Sequence, residues 1–325
     1  MELRKVQRTS SGSFFVCLPK GWAERVGLDR GSVVAVSELA DGRLSIDAKY
    51  DVEPEPRVAV IKPSPYLDRE ITGKYLLGYD IIRVVAEDRI SPDDRECVKQ
   101  ASSDFVGLEI VEEDYSKIVL QCLLDPSTFP PEKILRREYS ISAGMHRDAV
   151  RAFVGGDLHL ARNVVARDVE VDRLYFLLVR ILRTIIQRPG LSERLGVKAI
   201  ACLDYRLMAS LVESVGDLAV EVAEKAVELG GEGLSKELSE PLLRLHDAVF
   251  SSHEKALEAV FSRNVEVAES VRRERGRIEE MLSGLEEASG EAGGLGACVM
   301  AVAGLIGRIF DCGVDVADLV MRREE

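Results

Sequence analysis

The stretch Glu213-Ser-Val-Gly-Asp217-Leu-Ala-Val-Glu221-Val-Ala-Glu224 decides the fold of the C-terminal half, because a related stretch follows it 94 positions later: Gly307-Arg-Ile-Phe-Asp311-Cys-Gly-Val-Asp315-Val-Ala-Asp318. A second pair of segments, 161–168 and 262–269, matches at a shift of 101 residues. Two markers in the same order, at nearly the same shift, indicate an internal duplication of about a hundred residues. The C-terminal half is therefore predicted to be one helical unit present twice.

Length and composition predict a soluble protein of two or three domains. The chain has 325 residues and a formal net charge of -13, which argues against broad coating of nucleic acid. Six cysteines are scattered without a C-x-x-C pair, and we expect them to be buried thiols in a reducing cytoplasm. The longest uncharged run, 292–307, has 16 residues, fewer than the roughly 20 of a spanning helix, so no membrane insertion is expected.

Residues 1–50 are predicted to form a small β-rich domain. Four segments alternate in strand fashion, and one short helix, from Lys20 to about Val26, is opened by Pro19 and closed by Gly27. The strand segments are 3–8, 13–18, 33–36 and 43–47. A unit of this size is too small to bury a good core alone, so we expect it to pack against a second copy in a homodimer.

The same segment resembles the AbrB/SpoVT/MazE-type swapped-hairpin domain in Gly12-Ser-Phe-Phe-Val-Cys-Leu-Pro-Lys20 and in Val26-Gly-Leu-Asp-Arg-Gly31. That resemblance implies DNA binding by basic side chains, here Arg4 and Lys20 with Lys5 and Arg8 close by. Two positions depart from the pattern, since Ser13 replaces a frequent Arg and Ser32 a usual Asp. The alternative is that these cations only keep an exposed strand face soluble.

A stiff, acidic linker at 51–56 predicts a domain boundary, and residues 57–125 follow it in the order β-α-β-α-β-β. Strands are predicted at 58–61, 81–85, 109–113 and 117–122, and helices at 67–77 and 92–102. This order indicates a small α/β sandwich with its helices on one face of the sheet. It is expected to act as a spacer or dimerisation element, or alternatively as a sensor for a small ligand.

Everything after Pro130 and Pro131 is predicted to be helical, in an all-α pair of three-helix bundles at 130–230 and 231–325. Six helices are expected, broken at glycine pairs and at Pro189-Gly190. They are placed near 132–154, 157–187, 193–229, 235–261, 264–288 and 295–322.

Carboxylates lie along one flank of the predicted helix 193–229, opposite the apolar stripe that begins at Leu211. Glu213, Asp217 and Glu221 repel one another at i,i+4 spacing, and a bound cation would relieve that repulsion. Asp168 and Asp172 repeat the spacing on the second helix, so antiparallel packing would bring four carboxylates together. Such a site suits magnesium, calcium, manganese or ferric iron; a solvated acidic face is the alternative.

Residues 213–224 also resemble the Glu-Arg-Ile-Gly-Asp-His-Ala-x-Asn-Ile-Ala-Glu signature of PhoU, a phosphate-signalling regulator. The resemblance implies two three-helix repeats and a metal site at Asp168 with Asp172 and Glu213 with Asp217, holding an ion such as iron, zinc, manganese or magnesium. In the second repeat Gly307 replaces Glu213 and Arg273 falls where Asp172 would. That site is expected to be weak or empty, although Asp311 with Asp315 could recruit a cation.

The order swapped-hairpin domain, small α/β domain and helical repeats resembles archaeal PhoU-family regulators. This implies a cytoplasmic regulator of phosphate uptake, acting on the phosphate ABC transporter ATPase, its sensor kinase or a promoter. The alternative is an adaptor whose first domain only dimerises.

An enzyme is not expected. A di-iron carboxylate bundle needs Glu-x-x-His, and none of the four histidines has Glu three residues before it. His146 and His159 are expected near helix ends, where capping or solvation explains them.

Overall fold

The computed structural model describes residues 2–38, 42–48, 55–290 and 292–320, and the chain divides into two compact units, Met1–Glu55 and Pro56–Glu325. Four residues of the predicted linker, 51–54, lie outside the described residues.

The N-terminal unit consists of two antiparallel hairpins and a short helix. Strand β1 (Gln7–Arg8) pairs with β2 (Phe14–Phe15), and β3 (Ala35–Glu38) pairs with β4 (Leu44–Asp47). Helix α1 (Lys20–Arg25) follows Pro19 and gives way to Gly27 at φ 72°. The first two strands are much shorter than the segments 3–8 and 13–18 predicted from the alternation.

No side chain whose exposure is described in the N-terminal unit is buried. Apolar residues on both hairpins face solvent, among them Phe14 at 71% and Leu44 at 68% exposure. The described residues of this unit therefore form no buried core within a single chain. A second surface is needed to cover these side chains.

The second unit begins with a four-stranded sheet covered on one face by two helices. Strands β5 (Val58–Ile61), β6 (Ile81–Val85), β7 (Leu108–Glu113) and β8 (Lys117–Cys122) are arranged in the order β5-β6-β8-β7, with β5 and β6 parallel. Helices α2 (Leu67–Leu76) and α3 (Pro92–Asp104) cover residues such as Ile82 and Leu120. The opposite face is open, since Val60 remains 64% exposed.

The remaining helices form two sets around one continuous core. The first set contains α4 (Pro131–Gly155), α5 (Leu158–Gln187) and α7 (Ala201–Glu228), with the short α6 (Pro189–Leu195) between the last two. The second contains α8 (Lys236–Ser262), α9 (Val265–Arg273), α10 (Arg275–Ser289) and α11 (Gly293–Ala317).

Two of the six predicted helices are interrupted. The predicted helix 193–229 becomes α6 and α7, because Gly196 adopts φ 65° and ends α6; Pro189, expected to break a helix, instead opens one. The predicted helix 264–288 is divided at Glu274 into α9 and α10.

Helix α11 is long and apolar enough to cross a membrane by length and composition alone. Half of its most apolar window is buried inside the protein, as in the core helix of a bundle. It packs against α7 and α8, with Ile306 and Ile309 fully buried.

Candidate carboxylate site

Helices α5 and α7 approach closely at Gly216. A Cβ atom added there would lie 3.4 Å from Val171 Cγ1 and 3.5 Å from Asp168 Oδ1. These are ordinary van der Waals distances, so α5 and α7 are in direct contact at the turn that carries Asp217. The charges of Asp172 and Asp217 act on Asp168, and those of Asp217, Asp172 and Asp168 act on Glu213, so α5 and α7 bring these four carboxylates near one another.

The electrostatics of these four side chains show that they share one environment. Burial, and then the charges of Asp172 and Asp217, raise the pKa of Asp168 to about 6. Burial, with Asp217 and Asp172 next, raises the pKa of Glu213 to about 7 against the pull of Arg206. The pKa values of Asp172 and Asp217 are also raised, chiefly by burial. Each carboxylate thus resists ionisation beside the others.

A fifth carboxylate, Glu138 on α4, completes the cluster and was not found from the sequence. It is fully buried, and neither of its carboxylate oxygens has a hydrogen-bond partner. Burial first and the Glu213 charge second raise its pKa well above the usual range. Asp168 Oδ1 is likewise buried without a partner. Unpartnered buried oxygens of this kind call for a proton or a bound cation.

These oxygens are hard donors of the kind that magnesium, manganese, calcium and ferric iron prefer. In the described part of the chain, no three His, Cys, Asp or Glu side chains are already gathered as a closed ligand set. A cation would therefore have to draw the carboxylates inward. Glu221 lies at the edge of the group, exposed and 3.5 Å from Arg308 Nη1 of α11.

The corresponding carboxylates of the second set are placed differently. Asp311 on α11 is exposed and pairs with Arg275 Nη2 at 2.9 Å, so a cation from the protein itself neutralises it. Asp315 is exposed one turn further along α11. The four-carboxylate geometry of the first set is not repeated here.

The basic residues singled out in the N-terminal unit are all exposed. Arg4 pairs with Glu2, and Lys20 Nζ lies 3.7 Å from Glu24 Oε1. Arg8 stacks over the Phe14 ring at 5.5 Å, and Lys5 has no ion pair with any described residue. Two of the four charges are thus partly neutralised locally.

One histidine prediction is wrong and one is confirmed. His146 was expected near a helix end, but it lies in the interior of α4 and is 1% exposed. His159 is exposed in the first turn of α5, as expected.

Two sets of helices around one core, with a carboxylate cluster in the first, define this part of the chain as a helical bundle. Residues 135–226 match the family model of the PhoU domain. The chain is 28% identical over 178 residues to the phosphate-specific transport system accessory protein PhoU homolog of Rhizobium meliloti (strain 1021), covering 49% of this chain and 68% of the relative.

A solved structure, PhoU from Pseudomonas aeruginosa, matches with a TM-score of 0.52 at 20% identity. The alignment covers 60% of this chain and 95% of that structure. The helical part therefore has a PhoU-like fold.

Proposed function

We propose that this chain is a PhoU-type regulator of phosphate transport that acts as a dimeric cytoplasmic accessory protein, docking the phosphate ABC transporter ATPase or its sensor kinase. The match of residues 135–226 to the PhoU domain carries the proposal. Two further observations support it: the fold likeness to PhoU and the similarity to a relative named as an accessory protein of phosphate-specific transport. An accessory protein of this kind does not need to contact DNA.

The test is made in a host that lacks its own PhoU. The full chain, carrying an affinity tag, is expected to restrain phosphate uptake at high external phosphate and to co-purify with the transporter ATPase or the sensor kinase. Unchanged uptake together with retention of neither protein would overturn the proposal. If the Arg4→Ala, Lys5→Ala double variant still co-purifies with the ATPase or the kinase, docking does not depend on DNA contact by these two residues.

The carboxylate cluster is the proposed metal site of this regulator. Asp168, Asp172, Glu213 and Asp217 would hold the ion, and the unpartnered carboxylate of Glu138 lies within their electrostatic reach. A bound cation would supply the positive charge that the cluster lacks and would tie α4, α5 and α7 together. The oxygen donors favour magnesium, manganese or ferric iron over soft ions, with zinc as the borderline case.

Elemental analysis of protein purified without chelator tests this site. Asp217→Ala is expected to lose the metal, whereas Glu224→Ala, an exposed substitution on the same helix, is expected to keep it. Metal in excess should raise the Tm of the wild type, since 100-fold excess over Kd stabilises a folded state by about 2.7 kcal/mol. Equal metal content in the Asp217→Ala and Glu224→Ala variants would refute the site.

DNA binding by the N-terminal unit is the second candidate function. Exposed Lys5 and Arg8 favour it, because neither forms an ion pair with a described residue. The swapped-hairpin resemblance supplies the expected mode, in which a second copy doubles the cations on one surface. The local pairing of Arg4 with Glu2 and of Lys20 with Glu24 weakens it.

Fluorescence anisotropy with labelled promoter DNA distinguishes this candidate. If the unit binds DNA, Arg4→Ala with Lys5→Ala should weaken binding and flatten its salt dependence by about two counterions per chain. Arg162→Ala, an exposed cation on α5, serves as the matched control. Promoter binding that is equal in both variants would exclude these cations as the DNA contact.

A further inference from the structure

Three of the four histidines of this chain lie together in the core, between the two helical sets. His146 comes from α4, and His246 and His253 come from α8. Their exposed fractions are 1%, 3% and 1%. Histidine is only moderately frequent in protein interiors, so the meeting of three buried imidazoles at one place requires a physical explanation.

The spacing of the first two imidazoles suits ligands of a shared metal ion. His146 Nδ1 and His246 Nε2 are 3.1 Å apart, and the two ring centroids are 5.2 Å apart. With a zinc–nitrogen bond of about 2.0–2.1 Å, two nitrogens of a tetrahedral site lie about 3.3 Å apart. The His253 ring is 6.0 Å from that of His146, centroid to centroid, so a third imidazole is adjacent.

A hydrogen bond between His146 and His246 does not account for the whole cluster. His146 Nε2, both ring nitrogens of His253 and the Tyr139 hydroxyl are buried with no hydrogen-bond partner. Each such group costs about 1–3 kcal/mol if it stays unpaired. Aromatic rings surround the cluster, with Tyr139 against His253 at 5.1 Å and Phe250 against His146 at 5.1 Å. The protein leaves these nitrogens without partners of its own.

The neighbouring groups present the imidazoles in the form that a metal requires. Burial lowers the pKa of His146 well below its usual range and that of His253 to about 4, so both are neutral at neutral pH. His246 Nδ1 lies 3.6 Å from Asp247 Oδ1, which leaves Nε2 facing His146. At 3.6 Å this contact is longer than the hydrogen bond by which a carboxylate usually supports a metal-bound imidazole.

Two features oppose cation binding. Arg147 and Arg151 lie near enough for their charges to lower the pKa of His246, and Arg147 acts on His146 as well. The three rings also do not yet converge, because the described residues contain no closed set of three metal-ligating side chains. His253 would have to turn toward the other two rings, and its ring nitrogens make no hydrogen bond that this movement would break.

We propose that His146, His246 and His253 form a nitrogen-donor site for a borderline divalent transition metal of the zinc class, distinct from the carboxylate cluster. Three imidazoles leave a fourth coordination position for water or a small anion. Because one ligand comes from α4 and two come from α8, the bound ion would link the first helical set to the second. The proposal does not depend on the proposed function, since it uses none of the carboxylates.

Cobalt(II) is the probe, because it replaces zinc and its visible absorption reports the ligands. Chelator-treated full chain is titrated with Co²⁺ at neutral pH, with excess Mg²⁺ present to occupy the carboxylates. We expect the intense visible absorption of a four-coordinate, nitrogen-bound ion, saturating at a single equivalent per chain. His146→Gln, His246→Gln and His253→Gln should each weaken binding by about tenfold or more, since removing even a hydrogen-bond partner of a metal ligand costs about 10–100-fold. His159→Gln is the matched control.

Asp217→Ala is expected to keep this absorption, which distinguishes failure of the histidine site from failure of the carboxylate site. X-ray absorption at the zinc edge of the wild-type chain provides a measurement that needs no variant, and imidazole scattering from about three ligands is expected. The proposal is overturned if Co²⁺ gives only the weak spectrum of an oxygen-bound ion, if His253→Gln titrates like the wild type, or if zinc shows no imidazole ligands.

Discussion

Arg180 of α5 donates a hydrogen bond from Nη1 to the backbone carbonyl oxygen of Tyr75, 105 residues earlier, at 2.6 Å. The same Nη1 donates to the carbonyl oxygen of Tyr79 at 2.9 Å, and the guanidinium lies 4.9 Å from the centre of the Tyr75 ring. Arg180 is 3% exposed, and Asp80 lies 3.8 Å from its Nη2 atom. One side chain thus caps the end of α2 and joins the sheet domain to the bundle.

Replacing Arg180 with Met should destabilise the protein strongly. The substitution keeps much of the aliphatic volume but leaves the carbonyl oxygens of Tyr75 and Tyr79 without this donor, whereas Asp80 keeps Arg188 and the Arg57 backbone N–H. A buried acceptor left without its partner typically costs about 1–3 kcal/mol, so we expect a loss of about 2–4 kcal/mol from the two carbonyl oxygens. Chemical denaturation of Arg180→Met and of Arg183→Met, an exposed arginine on the same helix, makes the comparison. A difference below about 1 kcal/mol between them would contradict the role of Arg180.

The carboxylate cluster predicts that the metal-free protein loses stability as the pH rises from 6.5 to 8. Unfolded Asp and Glu have pKa values of about 4, whereas Glu213 in the folded chain has a pKa of about 7 and Glu138 a still more strongly raised pKa. The folded state therefore binds more protons than the unfolded state, and this stabilisation disappears as the folded groups ionise.

Below about pH 6.5 the buried histidines act in the opposite direction, because their folded pKa values are lowered and the unfolded chain binds their protons. Unfolded histidines, with a pKa of about 6.5, still bind part of their protons up to about pH 7.5, so the carboxylate contribution is isolated by comparison with a variant in which the histidines are unchanged. After allowance for the half-exposure of Glu213, we expect a loss on the order of 1 kcal/mol, or about 2–4 °C in Tm. Glu138→Gln should flatten the slope measured by thermal unfolding in chelator, whereas an unchanged slope would show that Glu138 does not titrate there.

The periodicity of the apolar residues predicted the partly buried carboxylates of the cluster and missed the fully buried one. Asp168, Asp172, Glu213 and Asp217 stand beside a clear apolar stripe, so their common face could be predicted. Glu138 occupies the stripe itself, at the 3–4 spacing that links Leu135 with Ser142 and Met145, all buried. A carboxylate at a core position of α4 was the available signal, and His146 one turn after Ser142 was another.

The sheet domain was predicted almost residue by residue, since short β-branched runs there alternate with helices and with turns at Gly78 and Gly107, both at positive φ. The break between α9 and α10 was not predicted, because no glycine or proline stands at Glu274. The predicted strand lengths in the N-terminal unit are wrong for another reason. Alternation predicts which residues can pair, but it does not predict how far two strands stay paired when none of their side chains is buried.

The exposed apolar side chains of the N-terminal unit predict that the full chain is a homodimer through this unit. Phe14 and Leu44 are 71% and 68% exposed on separate hairpins, and a second copy would bury them. Phe14→Glu with Leu44→Glu should give a monomer by light scattering, since each charge would have to be desolvated at the interface. Leu203→Glu, 61% exposed on α7, is the matched control and should remain dimeric. A dimer that survives the double substitution would place the interface elsewhere.

Gly156, which follows α4, should tolerate substitution by alanine much less well than its neighbour Gly155. Gly156 has φ 70°, and a Cβ atom there would lie 2.4 Å from the carbonyl oxygen of Gly231, in the connection that leads to α8. Gly155 has an ordinary φ, and a Cβ atom added there meets nothing within 4 Å.

Gly156→Ala should therefore lower the free energy of unfolding by about 1–2 kcal/mol from backbone strain alone. The loss should be larger in total, because the new Cβ would push the α4–α5 connection away from the α7–α8 connection. Gly155→Ala should be neutral or stabilise by up to about 1 kcal/mol, because alanine favours the last turn of a helix over glycine. Urea unfolding of both variants measures the difference. Equal stabilities would mean that the two helical sets do not depend on this backbone contact, and that the junction tolerates a wider separation than the structure has.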